Sequence, residues 1–151
     1  MALLAVDTGL RTGLALFGRE GRLIWYRSQH FANRSTLKRG VYGLFGSIGA
    51  LDRVVLEGGG PIAEVWRREA ERRGIIVRVI GAEVWRETLD AFGDRHRPKR
   101  EADAIARRVI EWSGAARPTS LRHDAAEAIL IGLWGVIEAG WLDGPPDEVL
   151  G

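Results

Sequence analysis

Four acidic side chains stand where the chain leaves or enters regular structure. Asp7 closes the apolar run Ala2-Leu3-Leu4-Ala5-Val6, and Glu57 closes Val54-Val55-Leu56. Asp124 opens a long apolar segment over residues 125–136, with Glu127 three positions on. A carboxylate at the tip of a buried strand is costly to keep ionised unless a cation sits against it. Carboxylates drawn from distant parts of a chain supply the oxygen ligands that hard divalent ions take, so a fold that gathers these would make such a site. Each acid also has a structural alternative. Asp7 could form a turn before Gly9, and Glu57 could be a loop residue before three glycines. Asp124 and Glu127 could complement a helix dipole, or Glu127 could pair with an arginine.

The elements that must position these acids read as α/β. Short buried strands are expected at 3–6, 13–17 and 22–28, with Gly18-Arg19-Glu20-Gly21 as the turn of an antiparallel meander. Residues 35–48 read as a helix with Leu37, Val41, Leu44, Phe45 and Ile48 on one stripe. Its glycines 40, 43, 46 and 49 suggest close packing against a neighbour. A strand over 53–56, a helix over 62–73 begun by Pro61, and a strand over 75–80 follow. Helices are expected over 83–92, 99–112 and 122–139, with a basic loop at 93–98 and a tail from Gly144-Pro145-Pro146. That order predicts one domain over 1–143 and a short tail over 144–151. Its topology is a ribonuclease H-like mixed five-stranded sheet, three antiparallel strands then two parallel, with helices on both faces. In it the ends of the first and fourth strands lie side by side, so Asp7 meets Glu57. Asp124 and Glu127, three apart on a helix, share one face about 5–6 Å apart.

Composition bounds the rest. A chain of 151 residues can bury a real core, and 46% hydrophobic with 28% charged residues is ordinary for a globular protein. No cysteine is present, which excludes thiolate metal sites and cysteine nucleophiles. No run approaches the roughly 18 apolar residues of a membrane span, and the first residues are too short an apolar run for a signal peptide. A soluble cytoplasmic protein is expected. Net charge is +2 and the pI about 9.5. Lysine occurs only at Lys38 and Lys99, so arginine carries the positive charge. That bias suits phosphate contacts but also follows from codon usage.

Several segments together resemble a known family. Leu4-Ala5-Val6-Asp7-Thr8-Gly9 with Thr12-Gly13-Leu14-Ala15 resembles the first motif of RuvC-type Holliday junction resolvases, and Val54-Val55-Leu56-Glu57 resembles the second. His123-Asp124-Ala125-Ala126-Glu127-Ala128 resembles their final helix; Ala82-Glu83-Val84-Trp85-Arg86 and Pro98-Lys99-Arg100-Glu101-Ala102-Asp103 resemble the segment before it. The chain departs from the pattern at Thr8, often proline there, at Glu127, usually aspartate, and in the glycines after Glu57. The resemblance implies an endonuclease dependent on Mg2+ or Mn2+ that resolves four-way DNA junctions by paired symmetric nicks. The products would carry 5′-phosphate and 3′-hydroxyl ends, and the protein would be a homodimer.

In such a site, two metals about 3.5–4 Å apart align a water and stabilise the leaving oxygen. Asp7, in the sheet centre, is expected to bridge them. Glu57 would hold one metal and Asp124 the other, with Glu127 completing the second site. Arg95, Arg97, Lys99 and Arg100, with His96 among them, form a basic cluster expected to contact phosphates, Lys99 first by the resemblance; a solvated loop is the alternative. Arg34, Lys38 and Arg39 offer a second patch. Trp66 is expected either to stack on junction bases, as the resemblance implies, or to sit in the core or a dimer interface. His123 is a helix-start residue or a ligand. Rival readings are a nuclease of the same fold acting on RNA or other branched DNA, and a non-catalytic DNA-binding dimer. An actin- or sugar-kinase-like ATP-binding protein needs two lobes, and this length holds one.

Overall fold

The computed structural model describes residues 1–90 and 98–150, with side chains for 1–87 and 102–150. Strands β1 (Ala2–Asp7), β2 (Arg11–Gly18) and β3 (Leu23–His30) form the antiparallel meander. Helix α1 (Arg34–Ile48), β4 (Leu51–Glu57), α2 (Gly60–Arg72) and β5 (Ile76–Ile80) follow, then α3 (Ala82–Asp90), α4 (Pro98–Ser113), α5 (His123–Glu138) and α6 (Asp147–Leu150). The strands lie in the order β3-β2-β1-β4-β5, with β4 parallel to both β1 and β5. The elements predicted from the sequence are therefore present in the predicted topology, with ends shifted by a residue or two.

Side-chain alternation along the central strands builds two cores. Leu3 and Ala5 of β1 and Val55 of β4 join the core under α3, α4 and α5. Leu4, Val6, Val54 and Leu56 join the core under α1 and α2. By the same alternation Asp7 and Glu57 fall on the α5 side of the sheet. Residues Ala125 through Val136 of α5 are all buried, because the helix is sandwiched between the sheet and α4. It lies close to the strands: a Cβ on Gly132 would come within 2.1 Å of the Phe17 ring.

One expectation fails. The glycine stripe of α1 does not pack against a neighbour. Only Gly40 is tight, against Phe31, while a Cβ at Gly43, Gly46 or Gly49 would meet nothing within 4 Å. The tail carries a short helix. Asp147 and Glu148 occupy the first turn of α6, and Val149 is buried in the α5-side core, with its carbonyl accepting from Arg108 Nε at 2.7 Å. The outer face of α2 is ion-paired: Arg67 bridges Glu64 and Glu71, and Glu69 pairs with Arg72 and Arg73.

Candidate active site

One row of residues crosses the whole sheet at its β1 tip. Ser28 pairs with Gly13, Gly13 with Asp7, Asp7 with Glu57, and Glu57 with Ile80. The first turn of α5 lies over this row. It can do so because Gly13 has no side chain: a Cβ there would stand 1.9 Å from the Asp124 carbonyl oxygen. The strand exits are pinned as well. Thr8 donates to the Glu57 carbonyl from its backbone N at 3.1 Å and from Oγ1 at 2.8 Å. Gly58 N donates to the Ile80 carbonyl at 3.1 Å. Gly58 has φ +113, and a Cβ there would strike the Thr8 hydroxyl, so the turn after Glu57 needs glycine.

This placement brings Asp7, Glu57 and Glu127 together. One carboxylate oxygen from each lies within 4.8 Å of the others. Asp124 is nearby but turned aside. Its two oxygens accept from the Ser28 hydroxyl at 2.9 and 2.8 Å, and Oδ1 also accepts from Ala125 N. Asp124 and Glu127 thus leave the same helix toward opposite sides of Gly13.

The crowding has electrostatic consequences. Burial, then the charges of Glu127 and Glu57, push the Asp7 carboxyl from its ordinary 3.8 up to about 8. Glu57 is also raised, by burial first and then by Glu127. Arg86 pulls Glu57 the other way, as does the Trp85 indole N–H, which approaches it without reaching hydrogen-bond geometry. Glu127 is 8% exposed. It accepts a hydrogen bond from an Arg86 guanidinium nitrogen at 3.3 Å, and His123 Nε2 lies 2.9 Å from the same oxygen.

The residues fit a divalent cation. Glu57 Oε2 is buried with no hydrogen-bond partner, although buried polar atoms are nearly always paired. Three carboxylates packed this closely need a shared proton or a cation between them. An all-oxygen donor set selects Mg2+, Mn2+ or Ca2+ over softer metals.

Known structures share this architecture. RuvC of T. thermophilus, solved in complex with a Holliday junction substrate, superposes with a TM-score of 0.65 at 16% identity over 93% of this chain and 96% of that one. The fowlpox virus Holliday junction resolvase gives 0.67 at 18% identity, over 91% and 99%. The fold is ribonuclease H-like. No family model and no curated sequence matches the chain.

On this ribonuclease H-like frame the other expected contacts fall unevenly. Trp66 requires correction. It is 0% exposed, packed edge-on against Phe45 at 5.9 Å in the core between the sheet and α2, and offers no face to a base. Arg95 and Arg97, with His96, lie outside the described residues. Lys99 and Arg100 fall on the first turn of α4, outside the residues whose side chains are described. Of the second patch, Arg34 and Lys38 but not Arg39 line a groove of about 710 Å³ between α1 and α2, together with Tyr42 and Pro61. Arg86 and Ser28 belong to the site and were missed by sequence reasoning. An arginine on an amphipathic helix reads as solvated, and a serine near the end of an edge strand carries no signal.

Proposed function

We propose that the chain is a divalent-metal-dependent endonuclease that resolves four-way DNA junctions. The observation that carries this reading is the convergence of Asp7, Glu57 and Glu127 within 4.8 Å at the tip of the central strands. The shared fold supports it, because RuvC of T. thermophilus was solved in complex with a Holliday junction substrate and the fowlpox virus protein is a Holliday junction resolvase.

Asp7, Glu57 and Glu127 would hold Mg2+ or Mn2+, and Asp124 completes the set, with two ions per site in this reading. A bound ion supplies Lewis-acid stabilisation of phosphate charge and lowers the pKa of its water. The chain's own residues do the rest. The sheet row fixes Asp7 and Glu57 on one face, and Gly13 lets α5 bring Glu127 onto them. Ser28 orients the Asp124 carboxylate. Arg86, half exposed beside the carboxylates, offers positive charge to an incoming phosphate. Cleavage would leave 5′-phosphate and 3′-hydroxyl ends. A twofold dimer would place two identical sites on a fourfold junction, so that symmetry matches the paired nicks. The reading places the protein in the cytoplasm with its DNA; among the described residues no helix is long and apolar enough to cross a membrane.

The test is cleavage of a synthetic four-way junction beside duplex, single-stranded and RNA substrates, with Mg2+ and with chelator. The junction should be nicked in pairs only with metal. Asp7→Asn should lose cleavage by more than about 100-fold, beyond the 10–100-fold of residues that merely orient a ligand, while still binding the junction. Equal cutting of RNA or simple duplex would defeat the junction assignment, and normal cutting by Asp7→Asn would defeat the mechanism.

A further inference from the structure

Glu127 sits against two other carboxylates, so repulsion works to turn it out to solvent. Its side chain has one more torsion than the aspartate usual at this position in the resembled family, which makes that escape easier. Two nitrogen-bearing side chains oppose it. His123, one turn earlier on α5, places Nε2 2.9 Å from Glu127 Oε1. Arg86 of α3 reaches the same oxygen at 3.3 Å. Both contacts fall on Oε1. His123 is not taken up by packing: its side chain is 54% exposed. Nor does it cap the helix, because the cap position is Arg122, which makes no side-chain cap bond.

We infer that His123 is a positioning residue that fixes the Glu127 carboxylate for cation capture, with Arg86 bracing the same oxygen from the neighbouring helix. The inference rests on the cation site of the proposed function. It adds a device specific to this chain's longer acid: the donor pair removes the torsional freedom that glutamate adds. Partners that orient a metal ligand typically carry 10–100-fold in metal affinity.

The test is Mn2+ binding to DNA-free protein, followed by the EPR signal of the unbound ion, with thermal melting to show that each variant is folded. His123→Ala should weaken Mn2+ binding by about 10–100-fold. His123→Gln, which keeps an N–H of similar reach, should recover most of the loss. In a Glu127→Gln background, His123→Ala should change nothing further, because the carboxylate it positions is gone. Wild-type Mn2+ affinity in His123→Ala, or no rescue by glutamine, overturns the inference. So does an equal loss in the Glu127→Gln background. A wild-type protein that binds no Mn2+ brings down the proposed function as well, whereas tight binding by both wild type and His123→Ala overturns this inference alone.

Discussion

The Asp7 carboxyl, pushed up to about 8 by burial and by Glu127 and Glu57, links the site to stability. The folded chain holds this proton more tightly than the unfolded chain does. Its stabilising contribution is therefore complete below about pH 4 and is lost as pH rises through 8. Glu57, raised for related reasons, acts in the same direction. Glu64 and Glu69 are held low by their arginine partners and so matter only at more acid pH. With chelator present, the melting temperature should fall between pH 5 and 8.5. Asp7→Asn should flatten most of that slope, and Mg2+ should raise the melting temperature more at the alkaline end. An Asp7→Asn slope equal to the wild type's would contradict the burial argument. Asp7, Glu57 and Glu127 were legible because an acid ending or entering an apolar run is a local sequence signal. Trp66 was ambiguous because an aromatic on an amphipathic helix looks alike whether it packs inward or faces a base. Arg86 was invisible because only the fold brings α3 to Glu127.

At the scale of elements, the site depends on how closely α5 approaches β2. Gly13→Ala would drive a Cβ into the Asp124 backbone, so α5 must retreat from the sheet. Overpacking of this kind costs about 1–3 kcal/mol. The expected outcome is a lower melting midpoint in urea together with loss of cleavage, since Glu127 retreats with its helix. Gly43→Ala on the open face of α1 is the control. A Cβ there meets nothing, and replacing a mid-helix glycine by alanine should stabilise by up to about 1 kcal/mol. Strand and helix order could be read from hydrophobic period, because the period of each element is a local property. The role of Gly13 could not, since its contact lies more than a hundred positions along the chain. The glycine spacing in α1 misled for the converse reason: a regular pattern implies packing only if something is present to pack. Proline and glycine before Asp147 hid α6, whose place is fixed by Val149 entering the core.

At the scale of the molecule, the account needs a surface that binds DNA backbone and an assembly with two sites. Junction affinity should fall linearly with log salt concentration. Replacing Arg95 and Arg97 by glutamine should reduce that slope by about 0.9 for each phosphate contact removed. Sedimentation of the junction complex should show two protein chains per junction; a strict monomer that nicks one strand would leave the fold and cation site intact but end the paired-cleavage reading. The carboxylate centre underlies all of these, and Mn2+ anomalous scattering from a soaked crystal tests it most directly. A strong peak bonded to oxygens of Asp7, Glu57 and Glu127 is expected, absent in Asp7→Asn crystals. A fully occupied Mn2+ elsewhere on the protein, with nothing between these three side chains, would contradict it.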